Sequence, residues 1–239
     1  MKKIILMAIV CVNIVACNVL NEVGKVASTV LAVPTSSEAA GGLKDALSQG
    51  FGKGADLLSA KGAFNNNSLI KILLPADAQT IANKLTDLGF GGEVDKVISK
   101  LNEGAENAVA TAKPIFLGAV KNMSFSDAMG ILTGGKGSAT NYLKQTTTTA
   151  LTASFRPEIQ KALDQVGVTK LWTPLVNQYN SIPFITKLNP DLNAHVTEKA
   201  LATLFNKVET EENAIRENPI NRATDLMKKA FAYADTQKK

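Results

Sequence analysis

An apolar stripe with the period of an α-helix runs through residues 94–112. Its members are spaced three or four residues apart, and they are Val94, Val97, Ile98, Leu101, Ala105, Ala108, Val109 and Ala112. That spacing places them on one face of a helix, whereas a β-strand would divide them between its two faces. Pro114 is expected to kink or break this helix, because proline lacks the amide hydrogen and clashes with the preceding turn. The segment "IFLGAVKNM" is predicted to continue as helix.

Stripes of the same kind mark much of the remaining chain, whereas the alternation typical of strands is nearly absent. They lie in residues 43–57, 196–208 and 223–234. The segment "LIKILLP", which ends at Pro75, is too short for its pattern to distinguish a strand from a helix. The sequence therefore predicts an all-α fold. We expect a compact multi-helix bundle, and the sequence also allows one short β-hairpin or extended segment near residues 65–75.

Three polar residues are predicted to begin helices. Ser124 is followed three residues later by Asp127, a spacing that resembles a capping box. Asn189 and Asn218 each precede a proline, which favours an asparagine cap with proline at the first helical position. Each of these sites is therefore expected to start a helix.

Four consecutive threonines, residues 146–149, fall in the segment "ATNYLKQTTTTALTASF", which is predicted to be helical. Such a run is unusual in a helix, because β-branched side chains lose rotamer freedom there. The hydroxyls could donate to carbonyls one turn earlier, or they could line a polar groove. The sequence does not select between these alternatives.

Residues 1–17, "MKKIILMAIVCVNIVAC", carry the signals of a bacterial lipoprotein. Lys2 and Lys3 form a positively charged start, and the apolar run that follows is shorter than the ~20 residues a spanning helix needs. Residues 14–17 then read Ile-Val-Ala-Cys, the pattern of a lipobox. We expect residues 1–16 to be removed and Cys17 to be acylated. Several alkyl chains would then hold the protein on a membrane, at ~0.8 kcal/mol for each buried CH2 group.

The expected anchor implies a location and a domain organisation. The protein should be exported and held on a bacterial membrane by its lipid, with its body in the periplasm. Asn18 is not the aspartate that retains lipoproteins in the inner membrane of enterobacteria, so the outer membrane is favoured. Residues 17–42 are expected to be a flexible tether, and residues 43–239 a single helical domain. The alternative is an ordinary cleaved signal peptide with an incidental cysteine.

Charge and cysteine content exclude several classes of function. Cys11 would leave with the signal peptide, and a single remaining cysteine excludes a disulfide and a thiol metal site. Removal of Lys2 and Lys3 lowers the formal net charge from +5 to +3. Because no Lys/Arg-rich block is interleaved with aromatic residues, no nucleic-acid binding is expected. No cofactor and no metal are predicted.

A set of stretches between about Leu43 and the C-terminus forms a specific combination. They are "IKILLP", "LGFGGEVDK", "AKPIFLGAVKNMSFSDAMGILTGG", "SATNYLKQTT", "VGVTKLW", "DLNAHVTEKALATLFNKVETEENAIRENP" and "NRATDLMKKAF". In this order and spacing they resemble a family of bacterial proteins catalogued as a domain of unknown function. The resemblance implies an exported, mostly helical domain without an established activity. The chain departs from the family pattern at Glu103 and Gly104, and also at Trp172 and His195, where tyrosines are usual.

Two motifs that could suggest chemistry are better explained by structure. Residues 130–137, "GILTGGKG", match the front of a phosphate-binding loop, but Gly137 stands where such a loop needs Ser or Thr. The preceding segment also reads as a helix rather than a strand, so we predict a helix–helix loop and no nucleotide binding. His195 is the only histidine, which excludes a metal site built from a histidine pair. It is expected to cap or pack.

Charged residues near the C-terminal helices form the main candidate site. Glu212 and Arg216 are four residues apart, so they share a helix face and can pair. A turn that begins at Asn218-Pro219 follows them directly, and charges at so close a corner are expected to be partly desolvated. A structural network is favoured over a ligand site. The candidate set, some of whose members could instead face a groove, comprises Glu106, Asp127, Glu212, Arg216, Arg222 and Asp225.

The leading functional hypothesis is a non-enzymatic binding or interaction module that faces the periplasm and binds an envelope protein or ligand. One alternative is an envelope hydrolase built on carboxylates such as Glu106, Asp127 and Glu212, with or without a metal. Another is a carrier of a hydrophobic ligand. Converging carboxylates would favour the enzyme, an exposed apolar patch would favour a protein partner, and a closed apolar cavity would favour the carrier.

Overall fold

The computed structural model describes residues 33–168 and 191–237 and, between these ranges, residues 170, 172, 174, 177, 180, 181, 183, 184, 187 and 189. Helices dominate this part of the chain, which confirms the all-α prediction. Those with both ends described are α1 (Ser36–Leu58), α2 (Ala76–Leu85), α3 (Gly91–Ala110), α4 (Ala112–Asn122), α5 (Phe125–Thr133), α6 (Ser138–Gln165), α7 (Leu192–Glu217) and α8 (Asp225–Gln237). The expected signal peptide and Cys17 lie outside the described residues, so the lipid anchor stays a prediction.

Helix α1 is the central element of the bundle. It packs against α8 and α7, and also against α5 and α4, while α6 packs against α3, α7 and α4. Phe51 of α1 meets Phe116 of α4 in the core. Phe116 also contacts Phe205 of α7 edge to face, with the two ring centroids 5.8 Å apart. Edge-to-face contact is a favoured arrangement of aromatic rings, so these three side chains tie three helices together.

Helix α1 begins at Ser36, inside the range 17–42 that was expected to be tether. Thr35 caps it: the Thr35 hydroxyl accepts from the Glu38 backbone N–H, and the Glu38 carboxylate accepts from the Thr35 N–H. This is a complete capping box, written in the sequence as "TSSE". Ala39 and Ala40 are already buried in the core. The folded domain therefore starts at least seven residues before Leu43, since residues 36–42 are helical.

The apolar stripe at residues 94–112 ends in the predicted break. Helix α3 stops at Ala110, and α4 begins at Ala112 after the single cap residue Thr111. Pro114 falls in the first turn of α4, where backbone N–H groups have no partner within the helix. The break therefore lies just before the proline and leaves it where its missing N–H does no harm.

The segment at residues 65–75 forms turns and irregular backbone, with no strand in the part of the chain that the structure describes. Asn102 of α3 supplies the pairing that a strand would have given. Its side-chain oxygen accepts from the Ile72 N–H at 2.8 Å, and its amide nitrogen donates to the Ile72 carbonyl at 2.9 Å. Because Asn102 is fully buried, these hydrogen bonds fix the segment to the bundle without a second strand.

The predicted helix starts have three different outcomes. The capping box of Ser124 and Asp127 is confirmed. Asn189 is not the cap of α7, because its side chain accepts from the Asp191 N–H and Asp191 caps the helix instead. Asn218 does cap a helical turn, but that turn is the short 3-10 helix Pro219–Asn221, and α8 begins later.

The threonine run lies within α6 and uses its hydroxyls locally. Thr146, Thr147 and Thr148 donate to carbonyls one turn earlier, at 2.9, 2.5 and 2.6 Å. For these three residues the first alternative is therefore correct, and their hydroxyls are satisfied by the helix itself.

Residues 76–96 form a helical hairpin that stands away from the bundle, which we call the arm. It consists of α2, the π-helical turn Thr86–Phe90 and the start of α3. Helix α2 makes its substantial contacts with that turn and with α3. Gly89 turns the chain at the tip with φ of 93°, in the left-handed region that favours glycine. Most residues from 83 to 96 are exposed.

Candidate functional site

Glu212 lies at the centre of the predicted charged corner and binds the start of α6. Its Oε1 accepts from the Ala139 N–H at 3.0 Å, and its Oε2 accepts from the Thr140 N–H at 2.9 Å. The Thr140 hydroxyl donates to the same Oε2 at 2.8 Å. Backbone N–H groups at a helix N-terminus are unpaired and carry partial positive charge, so a carboxylate is well matched to this place.

Arg216 pairs with Glu212 and binds the end of α5. Its Nε donates to Glu212 Oε1 at 2.8 Å, and both side chains are only 5% exposed. Its two terminal nitrogens donate to the carbonyls of Ile131, Leu132 and Gly134 at 2.8, 3.2 and 3.2 Å. A cation is favoured at a helix C-terminus for the same reason that an anion is favoured at the N-terminus.

The ion pair thus joins the two ends of the glycine-rich loop at residues 134–137. That loop connects α5 to α6, as predicted, and Gly137 adopts φ of 74° directly before α6. In a phosphate-binding loop, the N–H groups at the start of the following helix would hold the phosphate. Here the Glu212 carboxylate takes their hydrogen bonds. The absence of nucleotide binding stays a prediction, now with a physical reason.

Arg222 extends the corner to the end of α7 and to α8. Its guanidinium donates to the carbonyls of Ile215 and Arg216 at 3.2 and 3.0 Å, and to Asp235 Oδ2 at 2.8 Å. The Phe231 ring lies near both arginines, with its centroid 5.4 Å from the Arg222 guanidinium carbon and 5.9 Å from that of Arg216. The positive groups therefore face a ring as well as carbonyls.

Three of the predicted site residues do not join this corner. Glu106 lies on α3 and binds a different loop, and Asp127 caps α5 through Ser124. Asp225 is almost fully exposed and pairs with Lys228. Asp235, which does join the corner, was not predicted. It follows Met227 and Phe231 at four-residue spacing on α8, so the signal was an acidic residue in line with a buried helix face.

Glu106 organises a second region, the loop after α1. Its two oxygens accept from the N–H groups of Gly62 and Phe64 at 2.9 and 3.0 Å. The side chain is buried at the floor of a polar cleft of about 800 Å³ that Ser59, Asn65 and Ser99 help to line. Because both oxygens are already engaged by backbone, Glu106 holds the loop in place.

Ion pairs and hydrogen bonds lower the pKa values of the Glu211 and Glu38 carboxyl groups. Burial raises the pKa of Glu211, but Lys207 and Lys53, at 2.8 and 2.9 Å, outweigh burial and leave it below its ordinary value. Hydrogen bonds from Lys229 and Thr35 lower the pKa of Glu38 to about 2. A carboxyl group whose pKa is depressed by folding stabilises the fold above its unfolded pKa and loses this effect as the pH falls. These groups therefore stabilise the protein at neutral pH.

The tip of the arm exposes two large apolar side chains. Leu88 is 73% exposed and Phe90 is 54% exposed, on either side of Gly89. The charged residues between positions 86 and 95 are Asp87, Glu93 and Asp95. Sequence reasoning missed this feature, although apolar residues next to three glycines in "LGFGG" are poor candidates for a helix interior.

An apolar groove lies at the root of the arm. It has a volume of about 560 Å³, and residues 69–76 form one side of it while His195, Lys199 and Thr203 of α7 form the other. His195 Nε2 lies 3.0 Å from the Leu73 carbonyl oxygen. The expected packing role of His195 therefore has a definite partner, since the ring ties this segment to α7.

Two further observations apply to the part of the chain that the structure describes. No helix there is both long and apolar enough to cross a bilayer. No cluster of three or more His, Cys, Asp or Glu side chains there could hold a metal ion.

Comparison with known proteins places the chain in a family. No curated protein and no solved structure matches it. The model of a family described as "Protein of unknown function (DUF4197)" matches residues 33–232. This agrees with the resemblance seen in the sequence, and the match starts near the capping box that begins α1 rather than at Leu43. The chain therefore belongs to the DUF4197 family of proteins of unknown function.

Proposed function

We propose that the protein is a non-enzymatic, lipid-anchored module of the cell envelope that binds a protein partner through the tip of its arm. The observation that carries this proposal is the exposure of Leu88 and Phe90 on a hairpin that contacts little but itself. Burying a leucine or phenylalanine side chain is worth about 1.5–3 kcal/mol. Large apolar side chains that a partner can cover are typical of the residues that dominate binding energies.

The root of the arm and the first residue of α1 lie toward opposite ends of α1. The tether would join α1 at Ser36, and the arm's root is held near the other end of this helix, because Glu106 binds Gly62 and Asn102 binds Ile72. A helix of 23 residues is about 34 Å long. A protein held at Cys17 can therefore present its arm away from the lipid, toward partners in the periplasm.

The hydrolase alternative receives no support from the residues named for it. Glu106, Asp127 and Glu212 bind three different loops or helix starts, and each carboxylate accepts at least one hydrogen bond from a backbone N–H group. Carboxylates that work together in catalysis need to face one substrate. The carrier alternative would need an enclosed apolar space, whereas the groove beside the arm is open.

The anchor is tested by replacing its cysteine. Cys17→Ala is expected to abolish incorporation of a labelled fatty acid and to release the protein from membranes or to block its processing, since no acyl chain can then attach. The measurement is metabolic labelling followed by membrane fractionation, with Cys11→Ala as the matched control that should behave like the wild type. Equal labelling and equal membrane retention in Cys17→Ala would rule out the lipobox.

The arm is tested by removing its apolar tip. Proteins that co-purify with the tagged wild-type lipoprotein from membranes are expected to be lost with Leu88→Ser/Phe90→Ser and retained with Ile220→Ser. Ile220 is a fair control because it is 88% exposed but lies outside the arm. Quantitative mass spectrometry of the three purifications is the measurement. Partners that survive the arm variant unchanged would show that binding occurs elsewhere.

A further inference from the structure

We propose that the partner of the arm is a second copy of this chain, and that the tip of each arm fills the groove at residues 69–76 of the other copy. This inference rests on the proposed function in one respect, the use of the arm tip as a contact surface. It adds the identity of the partner and the place where the tip binds.

The groove offers an apolar surface that nothing in the described chain covers. Leu69 is 91% exposed and Leu73 is 52% exposed along its rim, and its volume is about 560 Å³. Leu88 and Phe90 are the exposed apolar pair on the arm. One contact would therefore remove two apolar surfaces from water at once, which is the main driving force of association.

The charges of the two surfaces are complementary. The arm carries four acidic and two basic residues, a formal net charge of −2, and the charged residues between positions 86 and 95 are the acidic Asp87, Glu93 and Asp95. The charged side chains that line the groove are the basic Lys71 and Lys199, and His195 lines it as well. Complementary charges favour this pairing over contacts between like surfaces, and they raise the rate of encounter.

The arm cannot reach the groove of its own chain. The groove includes Ala76 and Gln79 of the first turn of α2, so it lies at the root of the arm itself. The tip lies beyond a helix of 10 residues, or about 15 Å, so folding it back would require that helix to break. A second chain can supply the tip without any such change.

A two-fold arrangement would make this exchange reciprocal, because the groove lies at the root of the arm. If the arm of one copy enters the groove of its partner, a two-fold axis places the partner's arm at the first copy's groove. The same contact is then made twice and the assembly closes as a dimer.

The test is the oligomeric state of the full mature chain, with Cys17→Ser to prevent lipidation. Sedimentation across a concentration series up to about 100 µM, a range that detects even weak dimers, is expected to show a monomer–dimer equilibrium. Leu88→Ser/Phe90→Ser should weaken dimerisation by tenfold or more, and Ile220→Ser should leave it unchanged. A chain that is monomeric throughout, or a dimer that the arm variant leaves intact, would overturn the inference.

A charge exchange supplies a second test that does not depend on the apolar tip. Lys71→Glu/Lys199→Glu and Asp87→Lys/Glu93→Lys should each weaken the dimer, and an equimolar mixture of the two variants should form a mixed dimer that neither forms alone. No recovery in the mixture would contradict the proposed docking.

If the wild type is monomeric and the arm variant still loses its co-purifying proteins, the partner is a different protein. The proposed function then stands while this inference fails.

Discussion

Replacing Arg216 by alanine is expected to lower the free energy of unfolding by about 3–5 kcal/mol, the range for breaking a buried ion pair. The loss has two physical sources. Glu212 would keep its carboxylate charge in a buried site without its cation. The carbonyls of Ile131, Leu132 and Gly134 at the end of α5 would each lose the hydrogen bond that Arg216 donates. An unpaired buried group bears its full desolvation penalty.

A double-mutant cycle shows whether the two residues act as one unit. Glu212→Ala/Arg216→Ala is expected to lose less than the sum of the single variants, because residues in one network are not additive. Arg222→Ala should also lower the unfolding midpoint, but by less than Arg216→Ala, since its acidic partner Asp235 is partly exposed. Lys228→Ala, which removes an exposed ion pair with Asp225, is the control and should unfold like the wild type.

Urea unfolding of the mature chain with Cys17→Ser gives these values. Additive losses in the cycle would show that Glu212 and Arg216 stabilise the fold independently. If Arg216→Ala has wild-type stability but fails to restore the wild-type phenotype in a deletion strain, the charged corner has a binding role rather than a structural one.

The second large effect is expected at Gly42, where α1 packs tightly against α8. A Cβ atom at this position would lie 2.6 Å from the Ala230 Cβ and would overlap the Leu226 backbone oxygen. Because the obstacle is backbone, it cannot turn away, and α8 must shift. Gly42→Ala should therefore lower the free energy of unfolding by about 1–3 kcal/mol, the usual range for overpacking.

Gly52 provides the matched control for this prediction. It lies in the same helix, and a Cβ there would meet only the end of the Lys113 side chain at 3.8 Å. Gly52→Ala should therefore raise the stability by about 0.5–1 kcal/mol, because alanine favours helix over glycine. The two substitutions are chemically identical, so opposite signs in urea unfolding would isolate the helix contact. A stabilising effect at both positions would contradict the close packing of α1 on α8.

Some parts of the fold could be predicted because they depend on local sequence patterns. The spacing of apolar residues predicted helices, and the pair Ser124 and Asp127 predicted a helix cap that the structure confirms. The same capping signal at Thr35 and Glu38 went unused, because the small and polar residues around it resembled a tether. A capping box is thus stronger information than composition when the boundary of a domain is sought.

The parts that depend on which helices meet were not predictable from one sequence. Glu212 and Arg216 were found because they are four residues apart on one helix. Their true partners, the ends of α5 and α6, lie more than 70 residues away in the chain. Glu106 could be recognised as a buried carboxylate candidate, but nothing local shows that it binds Gly62 rather than the corner.

The arm was missed for a related reason. Apolar residues in a helical protein are assigned to its core by default. For Leu88 and Phe90, only the neighbouring glycines indicate that the side chains could be exposed. Only the tertiary arrangement shows that the hairpin leaves the bundle. The residues that carry the functional proposal were therefore not singled out by the sequence pattern.

Site-specific crosslinking in cells tests the role of the arm most directly. A photoreactive amino acid is placed at position 90 of the otherwise unchanged lipoprotein, and in a parallel strain at the exposed control position 220. Membranes are irradiated and the products are identified by mass spectrometry. If the arm is the contact surface, position 90 should give defined crosslinks to a second copy or to another envelope protein. Position 220 should give none of these products. Absence of products at position 90, or the same products from both positions, would contradict it.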